Sequence, residues 1–344
     1  MKKYLEYIKI NQQIIEKIAT EGAENIEKTA QLFSDALINN RKIFLFGTGH
    51  SHMLAEELFY RAGGLVKIQP ILDPPLMLHL SASESTVAER VEGVAQNLFN
   101  EYGIKENDVI VIISNSGRNG VIVDMALLCK EKGVKTIALT NLKHTYSGES
   151  RHKSGKRLCE IADVVLDNFG CVGDACVEVQ GVDGKICPTS TVSGALILNA
   201  VVAEAVEICA KKGVPFAVDA AQTAGIAEID MRKMKIDYLC VASHKGLYAP
   251  MGTGILIALG EIPETLLEGG TGSLSMSYLQ PQELPDKFES GTVNVPGIIG
   301  INAGIDFVNS KGRERIYSHE LKIIKRIYEG LLKIPLIRLY SEAP

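Results

Sequence analysis

Hydrophobic positions change their spacing along the chain and divide it into predicted helices and strands. Over residues 1–39, apolar side chains recur at helical spacing on both sides of Gly22, which predicts a helical hairpin. Short β-branched runs then alternate with helix-length amphipathic stretches. These runs are KIFLF (42–46), VIVII (109–113), KTIAL (135–139) and DVVL (163–166). The alternation predicts an α/β fold with a parallel sheet and helices on both of its faces.

The pattern continues after a loop-like segment, residues 169–188, that is rich in Gly, Pro and Cys. Residues 189–212 predict a long helix, because a Ser/Thr cluster opens this stretch and Gly213 closes it. Strands are predicted at 216–220, 237–242 and 253–258, and a helix is predicted over 300–332. A second α/β domain is therefore expected after the first.

Composition restricts the class of protein and its partners. The chain has 344 residues, of which 46% are hydrophobic, and this length suits two domains. Its net charge of -5 argues against nucleic acid and membrane surfaces as partners. Asn199 and Glu204 interrupt the most apolar predicted helix, so we expect no membrane span. Seven scattered cysteines are typical of reduced thiols, which indicates a cytoplasmic location and no zinc site.

Two predicted strand-to-helix turns carry small polar residues. One covers residues 47–52 and the other covers residues 114–120. Such a turn directs backbone N–H groups and hydroxyls at an anion, and the helix dipole adds to the attraction. A dinucleotide-binding turn is not indicated, because His52 stands where the third glycine would be needed. A capped helix start would explain either turn alone, but two such turns in one sheet favour phosphate binding.

These turns, together with segments 46–65, 114–126, 154–168 and 188–205, resemble the sugar isomerase (SIS) domain proteins over residues 1–212. The resemblance implies a flavodoxin-like three-layer sandwich, a homo-oligomer and a small-molecule phosphosugar as the partner. Matched residue by residue, it places the substrate-binding side chains in the two turns. In the first turn these are Gly47, Thr48, Gly49, His50 and Ser51. In the second turn they are Ser114, Asn115, Ser116, Gly117 and Asn119.

Catalysis by this part would need a base and a group that protonates a carbonyl oxygen. The nearby titratable side chains are His50, His52, Glu56, Glu57 and His79, of which Glu57 and His79 are the catalytic candidates. His52 and Glu56 share a helix face, but the 189–212 helix offers no histidine as a further ligand, so no metal is predicted. Glu56 and Glu57 on a solvated helix surface are the favoured alternative. A sugar phosphate sensor without catalysis also stays open.

A different chemistry is indicated in the second half of the chain. Lys245 follows a predicted strand and precedes Gly246, a position suited to a Schiff base. Asp219 ends the preceding strand, where a carboxylate could bond a pyridine nitrogen, and Gln222 could bond the ring oxygen. An exposed loop lysine is the plainer interpretation of Lys245.

Together with segments 269–275 and 288–304, these residues resemble the class V aminotransferases, most closely the cysteine desulfurases, from residue 213 to 344. The resemblance implies part of a fold-type I large domain with pyridoxal phosphate on Lys245. It assigns Ser243 and His244 to the phosphate, and Thr292 to the phosphate of a partner subunit. The phosphate-binding turn, the stacking His, the substrate Arg and the acceptor Cys have no counterparts. We therefore expect an incomplete cofactor site and an inactive fragment, with a cysteine desulfurase or lyase as the alternative.

Overall fold

The computed structural model describes residues 2–61, 63–79, 81–91, 93–261, 264–265, 267–274, 276–334 and 337. The chain divides into two compact units, Met1–Val214 and Pro215–Pro344. Among the described residues, the first unit contains a five-stranded sheet, a two-stranded sheet and two cores, and the second unit contains a three-stranded sheet and one core.

The first unit contains helices and strands in near alternation. Its helices are α1 (Lys3–Thr20), α2 (Ala23–Ile38), α3 (His52–Glu57), α4 (Ala82–Ala88), α5 (Val94–Glu101), α6 (Gly120–Glu131), α7 (Leu142–Thr145), α8 (Leu158–Ile161) and α9 (Ser190–Lys211). Its strands are β1 (Ile43–Gly47), β2 (Ile68–Ile71), β3 (Val109–Ile113), β4 (Lys135–Thr140), β5 (Val164–Asp167), β6 (Ala175–Glu178) and β7 (Lys185–Pro188).

Five of these strands form one parallel sheet in the order β2-β1-β3-β4-β5. This is the flavodoxin-like order, so the predicted α/β fold with a parallel sheet is confirmed. β1 and β3 are buried throughout, as their continuous apolar sequences require in a sheet covered on both faces. Their register pairs Gly47 with Ile113, so the two polar turns begin at the same edge of the sheet.

Two parts of the first unit differ from the sequence prediction. β2 was not predicted, because Pro70 interrupts its apolar run. The structure accommodates this proline at the sheet edge, where β1 is the one described strand that pairs with β2. The segment predicted as a loop, 169–188, contains β6 and β7, which pair as an antiparallel two-stranded sheet. This short hairpin was not predicted, because the Gly and Cys content of the segment is typical of a loop.

Alternate residues of the central strands enter two separate cores. Ile43 and Leu45 pack with α1, α2, α3 and α9, whereas Phe44 and Phe46 pack with α5, α6 and α8. In the described part of the chain, α9 alone is long and apolar enough to cross a membrane, with a mean hydropathy of 1.7. A core helix passes the same test, and α9 buries Ile197, Leu198, Val201, Val202 and Ala205 in the first of these cores.

The second unit has a smaller sheet, with strands β8 (Ala217–Asp219), β9 (Tyr238–Ala242) and β10 (Gly254–Ala258) in the order β10-β9-β8. β8 and β9 are parallel, and β10 is antiparallel to β9. The helix predicted over 300–332 is two helices, α10 (Val295–Lys311) and α11 (Arg313–Leu331). Gly312 separates them with a φ of 80°, a conformation that glycine adopts without steric cost.

Candidate functional site

A cavity of about 220 Å³ opens at the carboxyl ends of β1, β3 and β4. β1 has β2 on one side and β3 on its other side. The chain therefore reverses its direction of winding at the carboxyl ends of β1 and β3. Ligands of open α/β sheets bind in the crevice at such a switch point. The cavity is lined by His50, Ser51, Leu54, Ile113, Asn115, Leu139, Asn168, Asp174, Pro188, Ser190 and Thr191. It brings together His50, Ser51 and Asn115 of the predicted substrate-binding set.

The first turn is shaped by its glycines and by one buried hydroxyl. Gly47 admits no side chain, because a Cβ atom there would lie 2.6 Å from the carbonyl oxygen of Ser51. Gly49 has a φ of 55°, and its carbonyl oxygen contacts Nδ1 of His52. Thr48 is buried, and its hydroxyl donates to Oε2 of Glu89 at 2.9 Å. The hydroxyl of Thr48 is therefore held by the protein.

The second turn is held by its own hydrogen bonds. Oγ of Ser114 accepts from the backbone N–H of Gly117 at 3.0 Å, and Gly117 has a φ of 59°. Oδ1 of Asn115 accepts from Asn168 at 2.9 Å, and Oδ1 of Asn119 accepts from Arg151 at 2.6 Å.

Ser116 differs from its neighbours in this turn. The residue is half-buried, and its hydroxyl has no hydrogen-bond partner among the residues that the structure describes. Ser116 is thus the hydroxyl of this turn without a partner in the described protein, although it is not among the residues that line the cavity.

Sequence reasoning missed the wall of the cavity opposite the turns. Asp174 has a φ of 67°, and its Oδ1 accepts from the backbone N–H groups of Thr189 and Ser190 at 3.0 and 2.9 Å. Its Oδ2 accepts from the hydroxyl of Ser190 at 2.6 Å. Asp174 therefore fixes the first turn of α9. The Ser/Thr cluster that opens α9 was visible in the sequence, but nothing marked a loop aspartate as its partner.

A basic cluster surrounds the second turn. Burial lowers the pKa of the Arg118 guanidinium, and the charges of Arg151 and Arg157 lower it further. Burial also lowers the pKa of His144, and Arg118 and Arg151 act in the same direction, whereas Asp174 opposes them. Like charges are thus gathered beside a turn that contributes Asn115 to the cavity. The sequence analysis assigned no role to these cations.

The catalytic candidates of the first unit lie outside the cavity lining. Oε1 of Glu57 accepts from Asn199 at 3.2 Å and from Arg61, so this carboxylate is bound on the α9 side of α3. His79 is exposed, and its ring centroid lies 6.3 Å from that of His52. The roles of Glu57 and His79 stay predictions. The described residues contain no group of three or more His, Cys, Asp or Glu side chains that could hold a metal ion.

The lysine and its predicted partners lie at one edge of the second sheet. Asp219 ends β8, and Lys245 follows β9, the parallel neighbour of β8. Asp219 is exposed, and its Oδ1 accepts from the backbone N–H of Ala221 at 2.8 Å. Lys245 is half-buried, and Ser243 is buried with no hydrogen-bond partner for its hydroxyl among the described residues. This unpartnered hydroxyl and Lys245 are the features that suit a phosphorylated aldehyde.

The remaining predicted partners do not complete that site. Gln222 and His244 are exposed. Thr292 lines a separate cavity of about 980 Å³ whose other walls come from residues 269–272, 276–278, 291, 293 and 295. Water competes for the ring contacts of exposed Asp219 and Gln222, and the described lining of the cavity at Thr292 does not include Lys245. Within the described residues, these side chains do not form an enclosed pyridoxal phosphate site.

Comparison with known proteins assigns the two parts of the chain to different families. The SIS domain family matches residues 6–141, and the class-V aminotransferase family matches residues 185–344. Both predicted resemblances are thereby confirmed. The second match begins upstream of α9, although α9 packs in the core of the first unit. The family boundary predicted between residues 212 and 213 stays a prediction.

Curated relatives match about three fifths of the chain. A UPF0309 protein of Geobacillus kaustophilus is 47% identical over 206 residues, which are 60% of this chain and 82% of the relative. A UPF0309 protein of Listeria innocua is 44% identical over 201 residues, which are 58% of this chain and 81% of the relative.

Two solved structures are similar at low scores. A phosphoheptose isomerase from Francisella tularensis is 19% identical, with a TM-score of 0.38. The match covers 60% of this chain and 97% of the isomerase chain. A cysteine desulfurase from Thermococcus onnurineus is 22% identical, with a TM-score of 0.35. The match covers 90% of this chain and 56% of the desulfurase chain. Neither similarity supports a functional conclusion at these scores.

Proposed function

The chain belongs to the UPF0309 family through its SIS domain part, and from this premise we propose that its first unit binds a phosphosugar at the β1–β3 switch point. The observation that carries the proposal is the cavity there, which joins His50 and Ser51 of one polar turn to Asn115 of the other. Its volume of about 220 Å³ is below the range typical of drug-sized ligands, so it suits a compact metabolite.

The second turn holds the phosphate in this proposal. The hydroxyl of Ser116 is available, and the backbone N–H groups at the start of α6 add donors and a favourable dipole. Ser114 and Asn115 are already hydrogen-bonded within the protein, so the turn keeps its shape without a ligand. A turn ordered in advance loses little conformational freedom when the phosphate binds.

The first turn and the α9 wall hold the sugar. Ser51, Asn168 and Thr191 place polar groups around the cavity, and Leu54 and Leu139 supply apolar surface. Small-molecule sites commonly combine a few such polar groups with apolar walls. A sugar ring, with hydroxyls at its edge and C–H groups on its faces, is complementary to this combination.

Binding without turnover is the activity that this geometry supports best. Isomerisation requires a base and a proton donor at the sugar carbons and carbonyl oxygen. Among the residues that line the cavity, His50 and Asp174 are the titratable ones. Asp174 already accepts four hydrogen bonds from the start of α9, so it acts as a helix cap. His50 is left as a single candidate, which favours the role of a sensor or binding protein.

The second unit is proposed to be an inactive relative of the class V aminotransferases. Lys245 has the position of a Schiff base lysine, but the proposed ring contacts of Asp219 and Gln222 are open to water. Catalysis by a cofactor depends on a site that fixes the reacting atoms and excludes water. Capture of the aldehyde by Lys245 is compatible with this arrangement, whereas turnover is not expected.

Calorimetric titration of the full-length chain tests the proposed binding. Hexose, heptose and amino sugar phosphates are titrated alongside the same sugars without phosphate, and only the phosphates are expected to bind. Ser116→Ala removes one donor to a charged group, which corresponds to a loss of about 1.5–3 kcal/mol in binding free energy. Ser310→Ala, an exposed serine on α10, is the matched control and should bind as the parent does. Equal affinities of Ser116→Ala and the parent would show that the assigned turn is wrong.

A further inference from the structure

Three cysteines are gathered on the β6–β7 hairpin and on the loop that leads into it. Cys171, Cys176 and Cys187 are half-buried, free thiols. The described lining of the cavity at the β1–β3 switch point contains none of them. A second cavity, of about 700 Å³, opens between α1 and this segment, and Cys171 and Cys176 line it. A small molecule that enters this second cavity therefore meets a sulfur.

The hairpin places Cys176 opposite Cys187. Its register pairs Ala175 with Pro188 at one position and continues in the same register on the other side of the two cysteines. Cys187 has a φ of 64°, but the pairs that flank it keep the strands aligned. The thiol of Cys176 donates to the carbonyl oxygen of Cys187 at 3.2 Å. The sulfur of Cys176 is thus directed at the facing strand.

The pKa of Cys176 shows that the other two thiols are near. Burial raises the pKa of this thiol, and the charges of Cys171, Cys187 and Asp174 raise it further, whereas Lys185 lowers it. Because a charge shifts a pKa only from nearby, Cys176 lies within electrostatic reach of both thiols. Cys176 is the central sulfur of this group.

The facing strands offer the spacing that a disulfide needs. Directly opposed residues of an antiparallel pair have Cα atoms about 4.5–5.5 Å apart. A disulfide joins Cα atoms that are about 4.4–6.8 Å apart, so a bond between Cys176 and Cys187 fits the existing register. Cys171 is the other neighbour of Cys176, but it precedes the hairpin, and its thiol donates to the carbonyl oxygen of Ala175 at 3.1 Å. Cys187 is therefore the better partner.

We propose that Cys176 and Cys187 are a redox-modification site that reacts with low-molecular-weight disulfides and forms a reversible disulfide across the hairpin. A thiolate of the pair attacks one sulfur of the small disulfide, whose S–S bond breaks and releases one small thiolate. The second thiolate of the pair attacks the protein sulfur of this mixed disulfide and releases the other small thiolate. Two cysteines are oxidised, one small disulfide is reduced, and the two cysteine protons pass to the released sulfurs. This inference does not depend on the proposed phosphosugar function.

The disulfide also constrains a wall of the cavity at the β1–β3 switch point. Asp174 directly precedes β6, and Ser190, whose hydroxyl donates to Asp174, begins α9 shortly after β7. Both residues line that cavity. A bond between β6 and β7 restricts the unfolded chain and opposes separation of the strands, so oxidation is expected to stabilise this wall.

Peptide mapping by mass spectrometry of the full-length chain tests the pair. The native chain is incubated with oxidised glutathione at pH 8, remaining thiols are alkylated, and tryptic peptides are analysed without reduction. Cleavage after Lys185 separates Cys176 from Cys187, so their disulfide joins two peptides, whereas a disulfide between Cys171 and Cys176 lies within one peptide. A link between Cys176 and Cys187 is expected, and an excess of reduced glutathione should remove it.

Serine variants identify the reacting sulfurs. Cys187→Ser should stop at a mixed disulfide of Cys176 with glutathione, because the second thiol is missing. Cys171→Ser keeps the hydrogen-bond donor to Ala175, so it is the matched control and should form the same cross-strand disulfide as the parent. Cys176→Ala and Cys187→Ala replace the serine variants if a hydroxyl at these half-buried positions prevents folding.

Thermal unfolding supplies a readout besides mass. Oxidised glutathione should raise the unfolding temperature of the parent and of Cys171→Ser, but not that of Cys187→Ser. The proposal is overturned if no intramolecular disulfide forms, if the disulfide joins Cys171 to Cys176, or if Cys171→Ser prevents the reaction. Equal unfolding temperatures of the oxidised and reduced parent would contradict the stabilised wall.

Discussion

Replacing Asp174 should destabilise the first unit through the start of α9. The carboxylate accepts hydrogen bonds from the backbone N–H groups and the hydroxyls of Thr189 and Ser190, at distances of 2.6 to 3.4 Å. Thr189 is buried, so its N–H would lose its acceptor without gaining water. The α9 helix that these bonds fix buries Ile197 and Leu198 in the larger core. A local hydrogen-bonding change is therefore expected to affect the packing of a whole helix.

The size of the effect follows from these four bonds. Loss of a helix cap costs about 1–2 kcal/mol, and each hydrogen bond to a charged group contributes about 1.5–3 kcal/mol. The four bonds share one carboxylate and are not additive, so we expect Asp174→Ala to lower the free energy of unfolding by about 2–4 kcal/mol. Asp174→Asn keeps an acceptor for the two backbone N–H groups and should recover more than half of this loss.

Urea unfolding followed by circular dichroism measures the change, and hydrogen exchange locates it. Faster exchange is expected in the first turn of α9 for Asp174→Ala. Asp183→Ala removes an exposed carboxylate from the turn between β6 and β7 and is the control. A change of less than about 0.5 kcal/mol in Asp174→Ala, equal to that of the control, would refute the capping role.

Three other predictions concern titration and reactivity. Burial raises the pKa of Asp167 in the folded chain, so ionisation of this carboxyl opposes folding. The stability contributed by the protonated carboxyl is complete below its usual pKa and is lost as pH rises through the raised pKa. Asp167→Asn should abolish that part of the pH dependence measured by urea unfolding between pH 3 and 7. Burial raises the pKa of Cys129 to about 12, so a disulfide reagent at pH 8 should leave this thiol unmodified until the chain is denatured. Modification of Cys129 in the native chain, detected by mass spectrometry, would contradict this prediction. Incubation with pyridoxal phosphate and cysteine should release no sulfide, whereas sulfide production abolished by Lys245→Ala would establish the desulfurase alternative.

Much of the first unit could be predicted from local sequence. VIVII is a strand because continuous β-branched residues need burial on both faces, and the structure places it at the centre of the sheet as β3. The two polar turns were also recognisable, because two turns of small polar residues between a strand and a helix in one sheet favour an anion site over a capped helix start alone. β2 was not predicted, because Pro70 is acceptable in a strand only at the edge of a sheet. Which strand lies at the edge depends on how the other strands pair.

The cavity and its charges were decided by tertiary structure. Asp174 and Arg118 stand in loops where the sequence gives an aspartate or an arginine no special meaning. Asp174 became a cap because the chain returns 15 residues later to start α9 beside it. Arg118 became a buried cation because the loop containing Gly148 packs over it.

The sequence by itself determined the periodicities, the polar turns and the family resemblances, because these depend on neighbours along the chain. Contacts between distant residues decided which polar groups line the cavity, such as Asn168 beside Asn115, and which do not, such as Glu57. Lys245 and Asp219 also show the difference between what neighbouring residues determine and what distant contacts determine. Their motif identifies the family locally, whereas the enclosure that makes such residues chemically effective depends on how the whole unit folds.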